Sequence, residues 1–156
     1  WKNVALAQFR EKQKPLWQLR GLVKVIHDID PDILMLVEVG GQESLDHFNE
    51  HFLNHAYTAY FVSGNARRGI DLAFLVKKEC GFKAEARSNR DLLVEVNSWH
   101  GKQLSRFSRD IAELRLIDEQ DQLKMILLLT HLKSKLGSEH DARGKDVRTA
   151  EAFALS

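Results

Sequence analysis

The chain has 156 residues, with 23 Lys and Arg against 22 Asp and Glu and a formal net charge of +1. That length holds one domain with a real core, and the balanced charge excludes a strongly basic nucleic-acid clamp while leaving room for a local basic groove. Its one cysteine, Cys80, excludes an intrachain disulfide and a thiolate metal cluster, and fits a reducing compartment such as the cytoplasm.

No apolar run approaches the ~20 residues of a membrane span, and no secretory signal is visible. Residues 1–14 have no clean period and read as a loop or irregular helix. After Pro15, Leu16, Leu19, Leu22, Val23, Ile26 and Ile29 recur at three- and four-residue spacing. That predicts an amphipathic helix of about 14 residues with its stripe toward a sheet, ended by Pro31. Ile33-Leu34-Met35-Leu36-Val37 follows, and Glu38 interrupts the apolar run before Gly40-Gly41. A short apolar run between turns reads as a strand buried on both faces, and helix then buried strand reads as an α/β unit. A carboxylate at the end of such a strand is costly to bury. Ligand crevices of open α/β sheets also lie beyond the strands' carboxyl ends. Glu38 is therefore the first candidate for chemistry, the alternative being a Glu that has just emerged into solvent.

Ser44 to Leu53 reads as a second helix, with Leu45, Phe48 and Phe52 on one face and His47, His51 and His55 spaced by four. Histidines one turn apart can bind zinc, but without a His-Glu-x-x-His order the surface reading is preferred. Tyr57 to Val62 reads as a strand. The loop Ser63 to Gly69 carries Arg67 and Arg68 and feeds Ile70 to Val76, a buried-looking strand broken by Asp71. Two readings stay open: the arginines hold a phosphate, or they pair with Asp71 and pin the loop.

Lys77-Lys78 and Gly81 read as a hairpin-like connection, Phe82 to Arg87 as a half-exposed strand and Leu92 to Val96 as a short one. Asn97 to Ser105, with Trp99 and His100, reads as a loop. Ser105 to Leu116 reads as a loop entering a strand, and Glu119 to Gln122 as a hairpin turn. Lys124 to Leu132 is the second strong apolar run, expected to pair antiparallel with the strand before it. It ends in His131, then Lys133-Ser134-Lys135. A His that titrates near neutrality, lysine charge and serine donors suit a phosphate; a satisfied core histidine is the competing reading. Gly137 to Lys145 reads as a polar loop. A last helix follows, capped by Asp146 or a neighbour, with Val147, Ala150, Ala154 and Leu155 as its stripe and Phe153 broadening it. The basic residues Lys133, Lys135, Arg143, Lys145 and Arg148 read as a solvated face before a backbone-binding edge.

Together these residues are acids ending or breaking two strands, an Arg entering a third and a His ending a fourth. That set suits metal-assisted phosphate ester hydrolysis. In order, Pro31-Asp32-Ile33-Leu34-Met35-Leu36-Val37-Glu38-Val39, Arg68-Gly69-Ile70-Asp71-Leu72-Ala73-Phe74-Leu75, Ser108-Arg109-Asp110-Ile111-Ala112-Glu113-Leu114 and Leu129-Thr130-His131-Leu132-Lys133-Ser134 resemble the endonuclease/exonuclease/phosphatase superfamily. These are relatives of pancreatic deoxyribonuclease. Arg148-Thr149-Ala150-Glu151-Ala152 resembles the helix before that family's next catalytic strand.

The resemblance implies an α/β (α+β) fold, a four-layer αββα sandwich with mostly antiparallel mixed sheets, present in part. It implies that Glu38 binds Mg²⁺, with Mn²⁺ as an alternative, that Arg109 lies near the scissile phosphate and that His131 contacts it. Asp71 stands where the family varies and is a further catalytic candidate; Arg68, Lys133 and Ser134 are substrate-binding candidates. The implied activity is a nuclease-like phosphodiesterase using in-line water attack on a phosphate ester, with nucleic acid one substrate. A phosphomonoesterase or lipid or sugar phosphate hydrolase, and a non-catalytic module on the same fold, are the alternatives. The family's early Asn strand, Gly-Asp-Phe-Asn and Ser-Asp-His segments have no counterpart in 1–156. The expectation is a single domain truncated at both ends, inactive alone, with one sheet largely present, the other mostly missing, and an exposed inner face.

Overall fold

Pro15 has a fixed φ and no N–H, so it suits the entry to a helix. In the computed structural model, which describes residues 15–66, 69–98, 101–135 and 144–155, it is the N-cap of α1, Leu16–Ile29. The helix has the 14 residues its spacing predicts. It ends at Asp30, whose left-handed backbone (φ 48°) returns its N–H to the Ile26 carbonyl. Lys24 and Asp28, one turn apart, pair at 2.5 Å on its surface. The chain divides into two compact units, Trp1–Pro31, in which α1 is the described element, and Asp32–Ser156.

The second unit contains β1 Ile33–Val39, α2 Gln42–Leu53, β2 Tyr57–Val62, β3 Asp71–Lys77, β4 Lys83–Ser88, β5 Leu93–Ser98, β6 Gly101–Arg106, β7 Ile111–Ile117, β8 Leu123–Thr130 and α3 Lys145–Phe153. Its strands form sheets ordered β1-β3-β2 and β4-β7-β8, plus the hairpin β5-β6. Every pairing among the described residues is antiparallel, so the class is α+β. The helix-then-strand order near Pro31 does not build a parallel unit, because β1 pairs antiparallel with β3.

The strand buried on both faces is β3, not β1. Leu72 through Val76 are all buried in β3, whereas β1 is an edge strand with Met35 and Val37 exposed. An apolar run reports affinity for a core, but position in the sheet decides whether both faces are covered. The same holds for β8, an edge of the second sheet, where Met125, Ile126 and Leu128 remain exposed.

Inner faces of the two three-stranded sheets pack on each other. Val62, Leu72, Phe74 and Val76 from the first meet Ala112, Leu114, Leu116 and Leu129 from the second. Each sheet is therefore equally represented, and the inner face is covered rather than exposed. The β3–β4 connection at Lys77–Gly81 crosses between sheets instead of closing a hairpin. Helix α2 packs on β1 and β2. Its buried line is Leu45, Asn49 and Leu53, with Phe48 and Phe52 only half-buried beside it. The Asn49 carboxamide accepts the Tyr57 N–H (3.3 Å) and donates to the Tyr57 carbonyl (2.7 Å), which starts β2 beside the helix end.

Residues 101–106 form a strand where a loop was expected. Gly-Lys-Gln-Leu-Ser-Arg lacks a hydrophobic period, and cross-strand ion pairing of Lys102 with Glu95 (2.8 Å) accompanies its pairing to β5. Trp99 and His100 lie outside the described residues. Val94, Val96, Phe107 and Ile111 make a second core, which Val147 and Ala150 of α3 cover. Phe153 faces away, and Gly144, not Asp146, is the N-cap of α3. The β7–β8 hairpin matches the expected antiparallel pair. In its turn the Lys124 ammonium, then the Gln122 and Gln120 N–H groups, hold the Asp118 carboxyl below its ordinary range.

Candidate active site

The sheet ends converge where β1 and β8 finish. Between Leu36 and Val39 the β1–β3 register shifts, and Glu38 at this irregularity has φ 60°. Left-handed backbone costs a side-chain-bearing residue roughly 1–2 kcal/mol. A bulge re-aims the side chain that occupies it. Here it places a Glu38 carboxylate oxygen 3.9 Å from Nε2 of His131, just past β8. The bulge thus brings together two residues that the sequence marked separately, Glu38 ending one apolar run and His131 ending another. Both are partly exposed, Glu38 more so.

Arg109 sits in the link leading into β7 and is 8% exposed. Its Nη1 donates to the carbonyls of His131 (3.0 Å) and Leu132 (2.6 Å). The arginine thus fastens the exit of β8 to the entry of β7. It also lines a polar cavity of about 410 Å³ with Asn65, Ile70, Ser108, Lys133 and Ser134. Two candidate substrate residues, Lys133 and Ser134, therefore share a cavity with Arg109, while Glu38 and His131 form a pair joined to it through the Arg109–His131 bond. Asp71 is buried at the start of β3, where it accepts the Gly64 N–H at 3.1 Å. Arg68 lies outside the described residues.

The β2–β3 loop is held against this link by residues that periodicity did not mark. Asn65 N–H donates to the Arg109 carbonyl at 2.6 Å. Its side chain donates to the carbonyls of Phe107 (3.0 Å) and Arg90 (2.7 Å). Gly64 lies so close that a Cβ there would stand 2.8 Å from the Arg109 carbonyl oxygen and from the Asp110 Cβ. A turn-rich run containing Gly and Asn was the only local signal of this docking.

Asp110 is 1% exposed; its carboxylate accepts from Ser88 Oγ (2.7 Å) and the Asn89 N–H (2.9 Å). Burial pushes its carboxyl up from the ordinary carboxylate range, and these hydrogen bonds oppose the shift. The folded state therefore holds this proton more tightly than the unfolded chain. The group's contribution to stability falls as pH rises from the unfolded to the folded pKa, then levels off. Asp110→Asn removes the buried charge and can donate to Ser88 Oγ, which also accepts. It is expected to be at least as stable as the parent at pH 7, with its advantage shrinking towards pH 4. Urea unfolding at both pH values checks this, and a loss above about 1 kcal/mol at pH 7 contradicts it.

The residues present fit a hard cation in one respect. Mg²⁺ keeps several waters and is commonly held by one or two carboxylates plus substrate phosphate oxygens, and Glu38 offers one such carboxylate, linked to the cavity through His131 and Arg109. Among the described residues no three His, Cys, Asp or Glu groups gather as a preformed cage. His47 and His51 lie one turn apart on α2 with tilted rings, centroids 5.7 Å apart, and belong to no such group. No helix among the described residues is long and apolar enough to cross a membrane. Comparison with family models, curated proteins and solved structures finds no match to this chain.

Proposed function

We propose that this chain carries the phosphate- and metal-binding part of a Mg²⁺-dependent phosphodiesterase site of the nuclease-like type, acting on phosphate esters. The observation carrying the reading is the convergence of Arg109, Lys133 and Ser134 on one cavity, with Arg109 bonded to His131, the partner of the strained Glu38. Arg109 and Lys133 supply fixed positive charge to a bound phosphate, and Ser134 a donor. His131 holds or gives a proton at Nε2. Glu38 would hold Mg²⁺ or Mn²⁺, and the metal would neutralise charge on a phosphoryl oxygen. Water attack in line with the leaving oxygen completes the reaction class, and no residue of 1–156 is assigned to activate that water.

A phosphomonoester is the second reading, favoured by the Lys133 and Ser134 side of the cavity, where extra charge and donors suit a dianionic phosphate. Titration of the ¹⁵N-labelled chain with dimethyl phosphate and with inorganic phosphate, each with Mg²⁺, separates the two. Stronger perturbation of Ser108, Arg109, Lys133 and Ser134 by the diester supports the phosphodiesterase. Preference for inorganic phosphate moves the reading to monoesters, and no response to either ends it.

Glu38→Gly tests the metal assignment without a stability penalty. Removing the left-handed strain offsets the added chain entropy of glycine, so stability should stay level or rise by up to about 1 kcal/mol. Mg²⁺-dependent amide shifts around Glu38 should vanish in the same variant. Undiminished Mg²⁺ binding would remove Glu38 from the site.

A further inference from the structure

We infer that Glu151 is a positioning residue that sets the gap between the two loops of the phosphate cavity, an inference that rests on the phosphate reading of that cavity. Glu151 lies in α3 and is 0% exposed. A carboxylate so buried must be paired or hydrogen-bonded. One oxygen accepts the Ser108 N–H at 2.6 Å, and the other accepts the Lys133 N–H at 2.7 Å. Ser108 precedes Arg109, and Lys133 precedes Ser134. One carboxylate therefore spans the two segments that line the cavity, one entering β7 and the other leaving its neighbour β8.

The rest of α3 reinforces that span. Arg148 Nη1 donates to the Lys133 carbonyl at 3.3 Å. Gly144 has φ 58°, and a Cβ there would stand 2.6 Å from the Ser134 carbonyl oxygen. The helix start therefore approaches the Lys133–Ser134 backbone more closely than a side-chain-bearing residue allows. Both N–H groups point at an anion already fixed in the protein, so they are held rather than available to ligand. Arg109, Lys133 and Ser134 then present their side chains at a separation the carboxylate determines.

Glu151→Gln keeps the shape, but its amide nitrogen faces a backbone N–H and cannot accept from it. Binding of inorganic phosphate to folded protein, followed by amide shifts well below the unfolding midpoint, is expected to weaken by about tenfold or more. Leu45→Ala, a core truncation in α2, is the control for lost stability. It should lower the melting temperature while leaving phosphate affinity unchanged. The positioning role is overturned if Glu151→Gln binds phosphate like the parent, or if Leu45→Ala weakens binding as much. A parent chain that binds no phosphate overturns the phosphate reading as well, a result distinct from either.

If Glu151→Gln does not fold, hydrogen exchange in the parent chain decides. Saturating phosphate should slow exchange of the Ser108 and Lys133 amides by the same factor, because one carboxylate holds both. Protection of one without the other rules the clamp out.

Discussion

Arg109→Ala is expected to destabilise the fold by about 2–4 kcal/mol and to abolish phosphate binding. The side chain is nearly buried, and its Nη1 satisfies two carbonyls, those of His131 and Leu132. Alanine removes the Arg109 donor from both carbonyls and a charge from the cavity. The two losses can be separated with Arg109→Lys. Lysine restores positive charge but not the planar fork, so it should recover part of the phosphate affinity and little of the stability. Urea unfolding gives the first quantity and a phosphate titration the second. A stable Arg109→Ala chain that still binds phosphate would mean that neither the fastening nor the site is as described.

Phe74→Ala should cost the most stability of any substitution considered, roughly 3–5 kcal/mol. Phe74 is 0% exposed and lies mid-strand in β3, opposite Met35 on one side and Tyr60 on the other. Its ring fills the interface between the two facing sheets. No neighbouring loop can collapse into the hole, because strands on both sides fix the backbone. A denaturant midpoint that falls with an unchanged slope would report the cavity. A loss under about 1.5 kcal/mol would show that the sheets do not meet at Phe74.

Local pattern carried some of the architecture and chemistry in physically different ways. The three- and four-residue spacing from Leu16 to Ile29 specified α1 because a helix's period depends only on its own backbone. The β7–β8 hairpin was legible for a similar reason, its turn residues lying between two apolar runs. Glu38 and His131 drew attention because each interrupts or ends such a run, and the bulge brings them together. Burial of individual strands was not legible: β1 and β3 are both apolar, and only pairing order makes one an edge.

The residues to which the sequence assigned no role are polar ones that bond backbone groups outside their own elements. Asn49, Asn65 and Glu151 all bond backbone groups elsewhere in the chain. Glu151 satisfies donors 43 and 18 residues away. Nothing in a helical period distinguishes such a glutamate from one facing water. Only the fold shows that the helix turns it inward.

The open margins of the two sheets have a colloidal consequence. Both β1 and β8 combine one unpaired hydrogen-bonding edge among the described residues with exposed Met35 and Val37 or Met125, Ile126 and Leu128. Such a strand is a template on which another extended chain can lay down a ladder. Lys124 is the one cationic side chain within β8, and it already pairs with Asp118 at 2.9 Å. Charge along that margin is therefore too sparse to repel an incoming strand. Protein concentration is then expected to act as a structural variable, with edge-to-edge contact favoured as it rises.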